Sequence, residues 1–228
     1  MKIGVMIGAD NPEGGLNDVI DLAKKAEELG LDSVWLANIF SYDAISTMAL
    51  IGRETNTIHL GTAVTPTYPR HPVAMAQQAL TTAAASDNRF TLGIGLSHKL
   101  VIEDMFGLSY SKPIRHMKEY LGVLMPLLRG ESANFDGQEY NVHGVQFNVP
   151  EAKEVPVVIA ALGPQMLKLA ADMVDGTNTW MVGPNTMEQH ILKTFEDAGK
   201  SNPTIVAGLP IVMTNNIDAA RESIAKNL

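Results

Sequence analysis

Pro156-Val157-Val158-Ile159-Ala160-Ala161-Leu162-Gly163-Pro164 holds the pattern from which the fold can be read. A short β-branched apolar run closes on small residues, and a proline then stands where a helix can begin. Proline suits a first helical turn, because its fixed φ matches the helix and its missing N–H would be unpaired there anyway. Val155–Ala161 is therefore expected as a buried strand, and Pro164–Val174 as the helix that follows. Outward from this unit the same arrangement recurs. Toward the C-terminus come a strand over Thr177–Val182, a helix over Thr186–Ala198, a strand over Thr204–Met213 and a helix from near Ile217.

Toward the N-terminus, strands are expected at Ile3–Ile7, Leu31–Ala37, Thr57–Val64 and Phe90–Gly95. Helices are expected from Asn17, as a cap, to the stop at Gly30, then at Ala44–Gly52 and Pro72–Ala85. Strands alternating with helices predict parallel strands joined by crossovers. Seven such units can be counted, one short of a (β/α)8 barrel. Residues 97–154, with a helix over Ile114–Leu128 and strand character over Ala133–Phe147, read as an insertion after the fourth strand. The expectation is one TIM (β/α)8-type domain over residues 1–228 whose eighth strand and helix are missing from this chain. Unpaired edge backbone is costly, so the natural polypeptide is expected to continue.

Composition excludes several classes of function. Of 228 residues, 17 are Lys or Arg and 25 are Asp or Glu, a net charge of −8, which disfavours nucleic acid as the main partner. No cysteine is present, which removes disulfides, thiolate nucleophiles and cysteine-based metal sites. His116, His143 and His190 stand without the spacing of metal ligands, so no metal is expected. The N-terminal apolar run stops too early for a secretory signal, and no segment is long enough to span a bilayer. A cytoplasmic protein acting on a small molecule, away from membranes, is the expectation.

Several stretches together resemble the luciferase-like superfamily of flavin and deazaflavin oxidoreductases, and within it the branch dependent on coenzyme F-420. They are Gly30-Leu31-Asp32-Ser33-Val34-Trp35, Leu60-Gly61-Thr62-Ala63-Val64-Thr65-Pro66 with Arg70-His71-Pro72, Arg89-Phe90-Thr91-Leu92-Gly93-Ile94-Gly95, and Pro156–Pro164 followed by Asp175-Gly176. The resemblance spans essentially the whole chain. It implies hydride transfer to or from a small organic substrate through a deazaflavin, with FMN as the alternative cofactor and a two-component monooxygenase as the alternative activity. A cofactor-binding protein without turnover is a further alternative. A homodimer, joined through the helices of the second and third units, is also implied.

The resemblance places the cofactor phosphate at Ala160, Ala161, Leu162, Gly163 and Pro164, and a helix start supports this independently, since exposed amides and the dipole favour an anion. It places Asn38, Ala63, Val64 and Thr65 near the ring, with Ala63-Val64 at the position where relatives carry a non-prolyl cis peptide. Met181, Val182 and Gly183 are further cofactor contacts by the same likeness, with core packing as the plain alternative. Ser97 and His98 close the fourth strand, where barrels place working residues, and His98 is the candidate catalytic group. His71 is expected only to fix a turn, His59 to face the surface or a helix, and Trp35 to pack. Where deazaflavin-dependent sugar-phosphate dehydrogenases carry an Asp-His pair and a Glu, this chain has Asn38-Ile39 and Leu96. Neither Ile39 nor Leu96 can move a proton, so alcohol oxidation of that kind is not expected, while Asn38 can still donate a hydrogen bond.

Overall fold

The computed structural model describes residues 1–8 and 14–227. Seven parallel strands form one continuous path: β1 (Gly4–Met6), β2 (Ser33–Leu36), β3 (His59–Thr62), β5 (Phe90–Gly95), β8 (Val157–Ala160), β9 (Gly176–Trp180) and β10 (Thr204–Gly208). A two-residue strand, β4 (Thr65–Pro66), adds to β5 beyond the end of β3. Helices α1 (Leu16–Glu28), α2 (Ala44–Glu54), α3 (Pro72–Ala85), α4 (Pro113–Leu128) and α5 (Pro164–Met173) make the crossovers. A helical run follows from Pro184 to Asp197, made of α6 (Pro184–Thr186), a π-helical stretch (Met187–Leu192) and α7 (Lys193–Asp197), and α8 (Ile217–Asn227) comes last. The parallel sheet is the barrel wall that the alternation predicts. Its two ends, β1 and β10, have no further strand partner among the described residues.

Strand faces sort by the residues they carry. Val34, Leu36, Leu60, Phe90 and Leu92 are fully or almost fully buried and join Val19, Ala23, Met48 and Met75 from the helices in the core. Burying a side chain of this size contributes about 1.5–3 kcal/mol, so the wall is held mainly from its outer face. Arg89 ties the second and third units together, donating to the carbonyls of Gly52, Thr55 and Ile58 and to the Thr55 hydroxyl. Glu27 does the same for the first unit: one carboxylate oxygen accepts from the N–H groups of Asn56, Thr57 and Ile58 and from the Thr57 hydroxyl. Burial alone would raise its pKa, but these four donors bring it down to about 2.

Several expectations need correction. Helix α1 is capped at Gly15, not Asn17, and Asn17 lies within its first turn. The stretch Ala133–Phe147 is an antiparallel hairpin, β6 (Ala133–Asp136) with β7 (Asn141–Val145), because Gly137 and Gln138 break it. The expected strand Thr204–Met213 ends at Gly208. Within 97–154, α4 packs between α3 and α5 as the fourth crossover helix, so the added material is the hairpin and the segment ahead of the helix.

Candidate functional site

The C-terminal ends of the strands converge on one mouth, and an irregularity at β3 shapes its floor. Beyond Thr62 the β3 backbone leaves the ladder. The Thr62 hydroxyl takes over the pairing, donating to the Gly93 carbonyl at 2.7 Å and accepting from the Gly93 N–H at 2.9 Å. A Cβ at Gly93 would lie 1.8 Å from the Thr62 carbonyl oxygen, so only glycine fits. The Ala63–Val64 peptide is cis. Ala63 N–H donates to the Leu36 carbonyl and Asn38 N–H to the Val64 carbonyl, which fixes the bulge to the end of β2. Val64 then turns inward over Gly95: a Cβ there would meet Val64 Cγ2 at 2.6 Å and Ala160 Cβ at 3.2 Å.

Register extends this floor. Ala160 pairs with Asn178 across β8 and β9, and Asn178 with Val206 across β9 and β10. Residues in parallel register face the same way, so Val64, Gly95, Ala160 and Asn178 form a row of mostly small side chains on the inner wall. Asn178 Nδ2 is buried and has no acceptor among the described residues. A buried donor left unpaired costs about 1–3 kcal/mol. Its position fits a ligand resting on that row with an acceptor at its edge. Asn178 was not among the sequence candidates; its position inside a strand with small inner-facing neighbours was the available signal.

Two helix starts stand beside one another where β8 and β9 end. Gly163 caps α5 and Gly183 caps the run beginning at Pro184, each followed by proline. No atom lies within 4 Å of where a Cβ would stand on either glycine. Among the described residues, the N–H groups of Leu162, Gly163, Val182 and Gly183 donate to no protein acceptor. Leu162 and Met181 are exposed, Val182 half-buried, and Met181 adopts φ +53. Ala161 is buried, so it supports the turn from beneath.

The remaining candidates divide. Asn38 Oδ1 accepts from Ala44 N–H at 3.0 Å and from Arg70 at 3.4 Å, which leaves its Nδ2 for a ligand. Arg70 also pairs with Asp43, the cap of α2. Burial raises the Asp43 pKa, but the Ser46 amide and Arg70 hold it below the ordinary carboxylate range. Thr65 is fully buried, its hydroxyl unpaired among the described residues. Ser97 is half-buried with φ +64, and His98 is exposed, its carbonyl accepting from Ile102 N–H. His71 caps α3, accepting from Val73 N–H, as a turn-fixing residue does. His59 departs from expectation. It lies on the inner wall with Trp35, its ring hydrogen-bonded to the Thr91 hydroxyl at 2.8 Å, because it shares the face of Gly61, over which Trp35 packs. Among the described residues no group of three His, Asp or Glu could hold a metal.

Over 206 residues the chain is 29% identical to the 5,10-methylenetetrahydromethanopterin reductase of Archaeoglobus fulgidus, covering 88% of this chain and 61% of that protein. It is 28% identical over 189 residues to the F-420-dependent glucose-6-phosphate dehydrogenase of Amycolatopsis mediterranei, covering 77% of this chain and 56% of that one. The chain thus spans less than two thirds of the length of these relatives. The solved coenzyme F-420-dependent tetrahydromethanopterin reductase of Methanopyrus kandleri superposes with a TM-score of 0.77 at 21% identity, covering 90% of this chain and 65% of that chain. A family model described as luciferase-like monooxygenase matches residues 1–228, and the chain belongs to that family.

Proposed function

We propose that the chain is the cofactor-binding barrel of a coenzyme F-420-dependent oxidoreductase that passes a hydride to or from a small organic substrate. The observation that carries this is the inner row Val64, Gly95, Ala160 and Asn178, a flat shelf with an unpartnered donor, set beside two Gly-Pro helix starts with free amides. A planar ring matches the shelf and a phosphate matches the helix starts. The relatives named as F-420-dependent support the deazaflavin over FMN. The bound cofactor supplies the hydride chemistry.

The chain's own residues orient and hold. Leu162, Gly163, Val182 and Gly183 amides receive the phosphate, with Ala161 and Pro164 fixing the turn. Asn38 and Asn178 donate to the ring edge; Ala63, Thr65 and Met181 close the shelf. Ser97 and His98 stand at the open side, where His98 delivers or accepts a proton. We also infer one domain over residues 1–228, a cytoplasmic location, and a homodimer through α2 and α3. Light scattering at micromolar concentration tests the dimer, and a monomer would refute it. No helix among the described residues is long and apolar enough to cross a membrane.

Fluorescence titration of the purified chain with F-420 and, separately, FMN tests the cofactor assignment. Saturable binding of F-420 at least tenfold tighter than FMN is expected, a difference of about 1.4 kcal/mol. Tighter FMN binding would favour the monooxygenase reading, and hydride transfer by stopped flow would separate an enzyme from a binder.

A further inference from the structure

Two exposed aromatic rings meet above the end of β3. Phe40 belongs to the loop after β2 and Phe106 to the segment after β5, and their centroids lie 6.4 Å apart at 85°, edge to face. In the sheet, β3 stands between β2 and β5. Contact between loops of non-adjacent strands therefore passes over the Ala63–Val64 bulge, at the rim of the shelf. Both supports are fixed. The loop after β2 is tied through Asn38 N–H to the Val64 carbonyl. The segment after β5 is anchored by Ile102, which is fully buried, and by Leu108 N–H bonded to the Ile102 carbonyl.

The side chains that these supports leave outward are apolar. Ile39, Phe40, Met105, Phe106 and Leu108 are each 38% to 64% exposed. The cations Lys99 and Arg70 are each paired with a carboxylate: Lys99 with Glu103, which also accepts from Tyr110 N–H, and Arg70 with Asp43, while Asp104 adds a further exposed negative charge. Exposed apolar clusters rimmed by polar residues mark interaction surfaces, ligand-binding grooves among them, and the place of this one at the rim of the shelf selects the ligand reading. Edge-to-face packing of two aromatic rings is favourable beyond the area it buries, which favours a fixed wall.

We propose that Phe40 and Phe106 form the substrate-selecting wall of the site, and that the substrate is an uncharged, largely apolar molecule rather than a phosphorylated or carboxylated one. This rests on the cofactor reading above for its orientation toward the ring. Among the described residues a phosphorylated sugar would meet no unpaired cation on this wall and would lose water to apolar rings, whereas a cyclic ketone or alcohol buries its carbon skeleton there.

The test measures binding of cyclohexanone and of glucose 6-phosphate to the F-420-loaded chain by ligand-observed NMR, for the unaltered protein and for Phe40→Ser, Phe106→Ser and Phe106→Leu. Cyclohexanone should bind at least tenfold more tightly than glucose 6-phosphate. Each serine variant should weaken it about three- to tenfold, as expected for losing one apolar contact surface. Phe106→Leu should restore most of the loss, and F-420 affinity should not change in any variant. Both rings are exposed, so the fold should persist; Ile39→Ser, checked likewise by circular dichroism, supplies a further position. Equal or tighter glucose 6-phosphate binding, or cyclohexanone binding indifferent to all these variants, overturns the proposal. So does a dimer that dissociates in the serine variants without change in cyclohexanone binding, since a second copy would then cover the rings. If the unaltered chain takes up neither F-420 nor FMN, the cofactor reading fails, while cyclohexanone binding without cofactor still reads the wall.

Discussion

His190 Nε2 lies 2.8 Å from the Leu162 carbonyl oxygen, and this one bond joins the turn before α5 to the helical run after β9. A carbonyl oxygen only accepts, so Nε2 carries the proton. The bond fixes the Leu162–Gly163 peptide, whose trans geometry sets the free Gly163 N–H opposite the bonded carbonyl. Removing it should let the turn relax. His190→Ala is expected to weaken F-420 about three- to tenfold, the scale of one lost orienting hydrogen bond, and His190→Gln to recover part of this. Binding of a deazaflavin without phosphate should not change. Fluorescence titration of both compounds checks the pair, and equal losses for both would remove His190 from phosphate positioning.

Gly163→Asp separates folding from binding at the same turn. Gly163 has extended backbone angles at the cap of α5, and no atom fills the space a side chain would take. Aspartate is a favoured cap and should satisfy the first-turn amides itself. Thermal stability should therefore hold or rise slightly. Cofactor affinity should fall roughly a hundredfold, because a carboxylate then occupies the phosphate position and repels it. A folded Gly163→Asp protein that binds F-420 normally would rule this turn out of the cofactor site.

These two residues illustrate what local sequence discloses. Gly163-Pro164 after an apolar run marks a helix start unaided, and Pro72–Ala85 and Phe90–Gly95 appear with the boundaries their patterns predict. Proline at a first turn and a buried apolar run act within a few residues, so they can be read locally. Features that depend on distant partners were hidden. His59 faces inward because Gly61 leaves room for Trp35, and Asn178 acquires its place from the register of three strands. The meeting of Phe40 with Phe106 crosses an intervening strand, and nothing in either loop announces it.

His116 should make stability depend on pH. Its ring is buried, stacked on Tyr68 at 3.8 Å and hydrogen-bonded through Nε2 to the Thr67 hydroxyl. Burial lowers its pKa to about 4, against the opposing pull of Glu139 and Glu119; Tyr120 and Tyr140 complete its surroundings. Between the unfolded value of 6.5 and about 4, the unfolded chain binds a proton that the native state does not. Its contribution is thus complete above the unfolded value and is lost as pH falls through this window. Urea midpoints measured across that range should fall for the unaltered protein and fall less steeply for His116→Phe. Parallel slopes would show that another group controls the transition.

His98 is the sharpest test of chemistry at the open side. It follows Ser97, whose positive φ turns the chain out of β5, and it stands exposed where the segment toward Ile102 begins. Exposure means that little packing depends on it, so His98→Ala should leave the melting temperature unchanged. A positioned acid or base contributes about a hundredfold to ten-thousandfold to a proton-coupled step. If His98 moves the proton that accompanies the hydride, kcat should drop by about two orders of magnitude at the low end of that range, with F-420 affinity nearly constant. The pH dependence of kcat should lose one limb in the variant, a change that a purely structural residue would not produce. Unaltered kcat and an unaltered pH profile in a folded His98→Ala protein would assign proton movement to solvent, and leave this barrel's residues to binding and orientation alone.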